Sequence, residues 1–109
     1  KQDQLEPKKK YPSAIHPIVR THPETKKKAL YVNKFFTTRI EGLSKQESKL
    51  ILDYLFNHCE KTEFQIRYRW NQYDMAFWDN RCTLHKALWD YHPMERKGRR
   101  VTIKGDQPF

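Results

Sequence analysis

The chain has 109 residues, with 22 Lys plus Arg against 13 Asp plus Glu and a formal charge of +9. That length allows one domain at most. No apolar run approaches the roughly 20 residues a membrane-spanning helix needs, and no signal-peptide pattern is present, which gives the expectation of a cytoplasmic protein without membrane contact. Aromatic residues make up 14% of the chain, so Phe, Tyr and Trp must carry much of the burial. Cys59 and Cys82 are the two cysteines and form no CxxC, which excludes a disulfide framework or a Cys-rich zinc site. They are expected to be reduced and largely buried.

Residues 1–29 hold eight Lys and Arg against Asp3, Glu6 and Glu24, and Pro7, Pro12, Pro17 and Pro23 break them up. This composition predicts an irregular, solvated lead-in that carries five of the nine net charges. Ala29, Leu30, Tyr31 and Val32 predict a short strand ended by Asn33, and residues 34–43 a structured loop. Ser44-Lys45-Gln46-Glu47 is a capping box that should start a helix. In that helix Leu50, Ile51, Tyr54, Leu55 and Cys59 are expected to form the apolar face, with Lys45, Lys49, Asp53 and Asn57 on the polar one.

The period then changes to two. Phe64, Ile66, Tyr68 and Trp70 alternate with Gln65, Arg67 and Arg69, predicting a strand with one buried face. Asn71-Gln72-Tyr73-Asp74 should turn the chain. Further strands are predicted over residues 75–78, 83–89 and 99–104. The fold class read from this order is mainly β with one helix, an antiparallel barrel or sandwich with a helical insertion.

Five histidines are present. His22-Pro23-Glu24 and His58-Cys59-Glu60 match a His-x-acid spacing, but the first flanks a proline and the second lies at a helix end, where the dipole alone favours His. Neither is expected to bind metal. His85 differs, because it sits inside a predicted strand and Arg96 and Arg100 follow it. An imidazole ligand followed by an arginine fork is the pairing that an iron site with a keto-acid cosubstrate requires. On spacing alone, Arg96 could equally be a surface residue of the turn around Gly98.

Taken in order, the motifs resemble one family. They are His16-Pro17-Ile18-Val19-Arg20-Thr21-His22-Pro23, Tyr31-Val32-Asn33, Phe36-Thr37-Thr38-Arg39-Ile40, Glu63-Phe64-Gln65-Ile66-Arg67, Trp78-Asp79-Asn80-Arg81, His85, Asp90-Tyr91, Arg96, Arg100 and Gly105-Asp106-Gln107-Pro108-Phe109. They resemble the C-terminal half of the taurine/2,4-dichlorophenoxyacetate dioxygenase family, and taurine dioxygenases most closely. The resemblance covers residues 15–109 and leaves 1–14 as an irregular basic lead-in.

The resemblance implies the C-terminal part of a double-stranded β-helix, or jelly roll, that uses Fe(II) and the cosubstrate 2-oxoglutarate. It implies that His85 is the distal iron ligand, that Arg96 pairs with the C5 carboxylate of 2-oxoglutarate, and that Arg100 meets the anionic group of the substrate. Phe36 would line the substrate pocket, and Asn33, Trp78, Asp79 and Asn80 would support it. The implied reaction uses O₂ to hydroxylate a small anionic substrate, with taurine or another alkyl sulfonate then releasing sulfite. The family's His-x-Asp ligands occur nowhere in this chain. The implied partner is therefore the N-terminal half of the same domain, and the chain alone is expected to be inactive. A homo-oligomer is compatible with this reading.

Two alternatives stand beside it. One is a catalytically incomplete remnant. The other is a basic nucleic-acid-binding module built on residues 65–70. Strand parity counts against the module, since it puts the aromatic residues on one face and Arg67 and Arg69 on the other.

Overall fold

A computed structural model describes residues 13–109. Most of the predicted lead-in at 1–14 lies outside the described residues. The elements in chain order are β1 (Val19–Thr21), β2 (Lys28–Leu30), α1 (Lys45–Cys59) and a single 3₁₀ turn at Thr62–Phe64. β1 and β2 pair antiparallel, with Val19 opposite Leu30, Arg20 opposite Ala29 and Thr21 opposite Lys28.

β1 corrects one expectation, because a strand stands where proline content predicted irregular chain. Its sequence, Val-Arg-Thr, is rich in β-branched residues and contains no proline. The hairpin closes through His22, whose N–H donates to the Lys27 carbonyl at 2.8 Å and whose carbonyl accepts from the Lys26 N–H at 2.9 Å. The outer edge of β1 is also used, since the Thr21 N–H donates to the Phe109 carbonyl at 2.7 Å. Arg20 is buried, and its guanidinium lies 4.9 Å from the centre of the Tyr31 ring, a cation–π contact.

β2 starts one residue before the strand predicted over 29–32 and stops at Leu30, and the loop that follows is fixed at Asn33. Its side-chain oxygen accepts from the Phe35 N–H at 2.8 Å, and its carbonyl accepts from the Phe36 and Thr37 N–H groups at 3.1 and 2.7 Å. These bonds give the predicted loop a fixed start.

α1 begins at the predicted cap. The Ser44 hydroxyl oxygen accepts from the Glu47 N–H at 3.3 Å, and the Glu47 carboxylate accepts from the Ser44 N–H at 3.0 Å. Lys49 and Asp53 form an i,i+4 ion pair on the exposed side. The buried face differs from the predicted one. Ser48 and Leu52 are buried, Leu55, Phe56 and Cys59 are half-buried, and Leu50, Ile51 and Tyr54 are exposed. The helix is apolar over more than one face, and the preceding loop selects which face is covered. The Ile40 N–H donates to the Ser48 hydroxyl at 2.8 Å and draws residues 37–43 across that side.

The strands predicted over 64–70, 75–78, 83–89 and 99–104 are absent among the described residues. A strand exists only through ladder bonds to a neighbour, and here these segments meet none. The turns between them are present. Asp74 N–H donates to the Asn71 carbonyl at 3.2 Å, Thr83 N–H to that of Asp79 at 3.0 Å, and Met94 N–H to that of Tyr91 at 2.7 Å. The parity of the first segment also survives in part, because the Tyr68 and Trp70 rings meet edge to face at 5.1 Å. Nothing covers that face, however, and Ile66, which precedes them in the alternation, is 95% exposed.

Cys59 is half-buried and Cys82 exposed, both as free thiols, so the expectation of burial fails for Cys82. Burial, helped by the neighbouring Glu60 charge, pushes the Cys59 thiol up. Among the described residues no helix is long and apolar enough to cross a membrane.

Candidate functional site

The most heavily bonded feature after the helix is the turn that begins at Asp79. Its carbonyl accepts from the Thr83 hydroxyl at 2.6 Å as well as from the Thr83 N–H. Its carboxylate accepts from Arg81 three ways, from the backbone N–H at 2.8 Å, Nε at 3.0 Å and a terminal guanidinium nitrogen at 2.9 Å. It also accepts from His22 Nε2 at 3.0 Å. These donors, Arg81 first and His22 second, hold the Asp79 carboxyl well below the usual carboxylate range.

His85 leaves this turn two residues after Thr83. Its ring packs on Trp78, with ring centres 4.8 Å apart, and the Trp78 indole N–H donates to Asn80 at 3.0 Å. Of the residues read from the sequence as supporting, Trp78 touches the His85 ring, Asn80 bonds Trp78, and Asp79 opens the turn before it. Arg96 lies over the Tyr91 ring at 6.0 Å. Arg100 is exposed, and Phe36 stands exposed on the turn that follows Asn33. None of the ion pairs among the described residues involves His85, Arg96 or Arg100. No contact among them brings these three residues and Phe36 together. The groove beside α1 is a separate place, lined by Thr38, Arg39, Ser48, Leu52 and Phe56.

A different group of metal-type ligands does converge. One ligand atom each of His22, Asp79 and Cys82 lie within 4.8 Å of one another. The hydrogen bonds argue against a metal there. His22 Nδ1 faces the Glu24 and Thr25 N–H groups, both at 3.2 Å, and a backbone N–H can only donate. Nδ1 is therefore the acceptor, and the ring proton sits on Nε2, pointing at Asp79. A histidine bound to metal through Nε2 would carry its remaining proton on Nδ1, which these donors forbid. Arg81 also occupies both carboxylate oxygens of Asp79. The cluster is a hydrogen-bonded tie, in keeping with the expectation that His22 binds no iron.

That tie was not legible in the sequence. His22 and Asp79 are 57 residues apart, and no periodicity links them. The available signal was local. His22 lies directly after a β-branched triplet, and Asp79 opens an Asp-Asn-Arg turn.

Iron suits the donor His85 offers, a single imidazole on an exposed segment. Arg96 and Arg100, free of carboxylate partners among the described residues, suit small anions.

Comparison with known proteins identifies the family. The family model described as "Taurine catabolism dioxygenase TauD, TfdA family" matches residues 1–102. The chain is 41% identical over 96 residues to an alpha-ketoglutarate-dependent sulfonate dioxygenase of Saccharomyces cerevisiae, covering 86% of this chain and 23% of that protein. It is 41% identical over 93 residues to an alpha-ketoglutarate-dependent sulfate ester dioxygenase of Pseudomonas putida, covering 85% of this chain and 31% of the relative. It is 36% identical over 95 residues to the alpha-ketoglutarate-dependent 2,4-dichlorophenoxyacetate dioxygenase of Cupriavidus pinatubonensis, covering 87% and 33%. The chain thus spans between about a quarter and a third of the length of these relatives. With the family model matching residues 1–102 and these relatives 36–41% identical, this chain belongs to the TauD/TfdA dioxygenase family.

Proposed function

We propose that the chain is the C-terminal part of an Fe(II)- and 2-oxoglutarate-dependent dioxygenase that hydroxylates a small alkyl sulfonate, such as taurine. The observation that carries this reading is the placement of His85. It is an exposed imidazole rising from a braced turn, followed by two arginines without carboxylate partners among the described residues. The complete domain would be a double-stranded β-helix, with residues 64–70 and 99–104 paired as strands against its remaining part. That part would supply the other two iron ligands.

In this reading His85 binds iron through its imidazole, Arg96 grips the far carboxylate of 2-oxoglutarate with a planar fork, and Arg100 neutralises the sulfonate. Phe36 covers the substrate's carbon chain. The iron with its cosubstrate supplies the oxidising chemistry when bound. The protein fixes which C–H bond of the substrate faces it and keeps water away. Sulfonates and sulfate esters, the substrate types in the names of two relatives, both carry a compact anionic oxygen cluster that one arginine can hold.

The test is replacement of His85 by Ala in the complete protein. Iron-dependent turnover should be lost. Normal turnover would sink the iron assignment. A catalytically incomplete remnant is the second reading, favoured by the large apolar surface that the chain leaves uncovered. Absence of Fe(II) and 2-oxoglutarate binding by the complete protein would select it.

A further inference from the structure

We propose that His22 is a positioning residue for His85. By donating from Nε2 to Asp79 it anchors the turn from which the His85 segment leaves. This inference rests on the reading of His85 as an iron ligand.

The bonds that shape the turn are mostly internal to it. Arg81 reaches Asp79 from two residues away, and Cys82 and Thr83 reach the Asp79 carbonyl from three and four away. Such bonds set the turn's shape but would travel with it if it moved. Among the described residues two polar contacts connect it to another part of the chain. One is the Arg81–Glu24 ion pair at 3.7 Å, whose Glu24 side chain is 74% exposed. An exposed pair of that length restrains little. The other is the bond from His22 to Asp79, whose His22 is buried.

His22 is itself held fast. Its backbone closes the β1–β2 hairpin at both N–H and carbonyl. Its Nδ1 takes the Glu24 and Thr25 N–H groups, which fixes both ring orientation and tautomer. The imidazole is thus a rigid donor on a rigid base, with its proton aimed at the Asp79 carboxylate. From Asp79 the path to His85 is short. The carbonyl of the same residue binds Thr83 twice, and Trp78 just before it packs on the His85 ring. Partners bonded directly to a metal ligand commonly change metal affinity about 10- to 100-fold when lost, and His22, which acts one step further out through Asp79, belongs at the low end of that range.

The test uses His22→Ala and His22→Gln in the complete protein, with two readouts. The first needs no metal. The Trp78 ring should displace the His85 ring protons upfield in the NMR spectrum of the metal-free protein. His22→Ala should abolish most of that displacement. His22→Gln, whose amide nitrogen can reach the Nε2 position, should keep it. The second readout is Co(II) titration, where His22→Ala should bind about tenfold more weakly than wild type. A His22→Ala protein that melts earlier yet keeps the wild-type His85 shift overturns the proposal. If His22→Ala does not fold, Asp79→Asn takes its place. It should lose part of the displacement, and an unchanged shift would count equally against the proposal. Wild-type protein that fails to bind Co(II) would overturn the iron reading of His85, while the metal-free spectrum would still decide whether His22 positions it.

Discussion

Four arginines of this chain occupy different electrostatic situations. Arg81 is locked onto Asp79, and Arg20 is buried over Tyr31. Arg96 and Arg100 take part in no ion pair among the described residues. A guanidinium cannot shed its charge, so of these four the last two are the ones free to meet a soluble anion. Arg96→Ala should raise the 2-oxoglutarate requirement of the complete protein by about 10- to 100-fold, the usual loss when a charge-assisted fork is removed. Arg100→Ala should leave that requirement unchanged and raise the sulfonate KM instead. Steady-state kinetics with each substrate varied in turn separates the two. Asp79 gives a prediction of another kind. Its carboxyl lies below the ordinary range because Arg81 and His22 donate to it. A carboxyl lowered on folding contributes stability above its unfolded pKa, and the contribution is lost as pH falls through the lowered value. Arg81→Ala should therefore move the Asp79 carboxyl titration, followed by carbon NMR, back toward the ordinary range.

At the scale of elements, α1 was the most legible part of the chain. The cap and the first turn fall where the sequence puts them, because capping is settled within four residues. Which face is buried was less legible, because the Ile40–Ser48 contact decides it and the helix's own apolar spacing does not. Two substitutions separate these levels. Leu52→Ala should cost about 2–5 kcal/mol, as for a buried leucine. Leu50→Ala, on the exposed side, should fall within about 0.5 kcal/mol of wild type. Urea unfolding followed by circular dichroism measures both. The capping box adds a pH dependence. Its hydrogen bonds to Ser44 hold the Glu47 carboxyl below its ordinary value. The box therefore stabilises above the ordinary Glu range and fades as pH falls through the lowered value. Ser44→Ala should cost about 1 kcal/mol at neutral pH, and the gap from wild type should narrow in acid. The strands of residues 64–104 were over-read for a physical reason. Alternation reports which face a segment wants to bury, and a ladder also needs a neighbour that no local pattern supplies.

Across the whole molecule, surface area gives the clearest measure. The accessible surface is 11830 Å², against roughly 6,500 Å² for a compact protein of this mass by the usual scaling. The excess comes from residues such as Ile66, Met75, Phe77, Trp89 and Val101, all of them largely exposed. This matches a chain that spans a quarter to a third of its relatives' length. The family was legible in the sequence, because the motif order is dense in rare aromatic and turn combinations. The proposed site was not legible as a place, because gathering His85, Arg96, Arg100 and Phe36 takes contacts that the described residues do not make. Hydrogen exchange on this chain alone should find the α1 amides protected and those of residues 64–70 and 99–104 exchanging quickly. Protection of the latter in the isolated chain would show that they pair without further cover.

The bond between Thr21 and Phe109 and the tie between His22 and Asp79 together draw the chain into two adjoining rings that share the β1 end. The larger ring contains α1. The smaller, from Asp79 to Phe109, contains His85, Arg96 and Arg100. Closing a ring costs entropy that grows only slowly, by about 0.6 kcal/mol for each doubling of its length. Extra residues between His85 and Arg96 would therefore disturb folding very little. They would still change how far apart His85 and Arg96, the iron ligand and cosubstrate anchor proposed above, can stand. In this ring, tolerance for chain length and tolerance for chemistry part company, and an insertion series there would read one without the other.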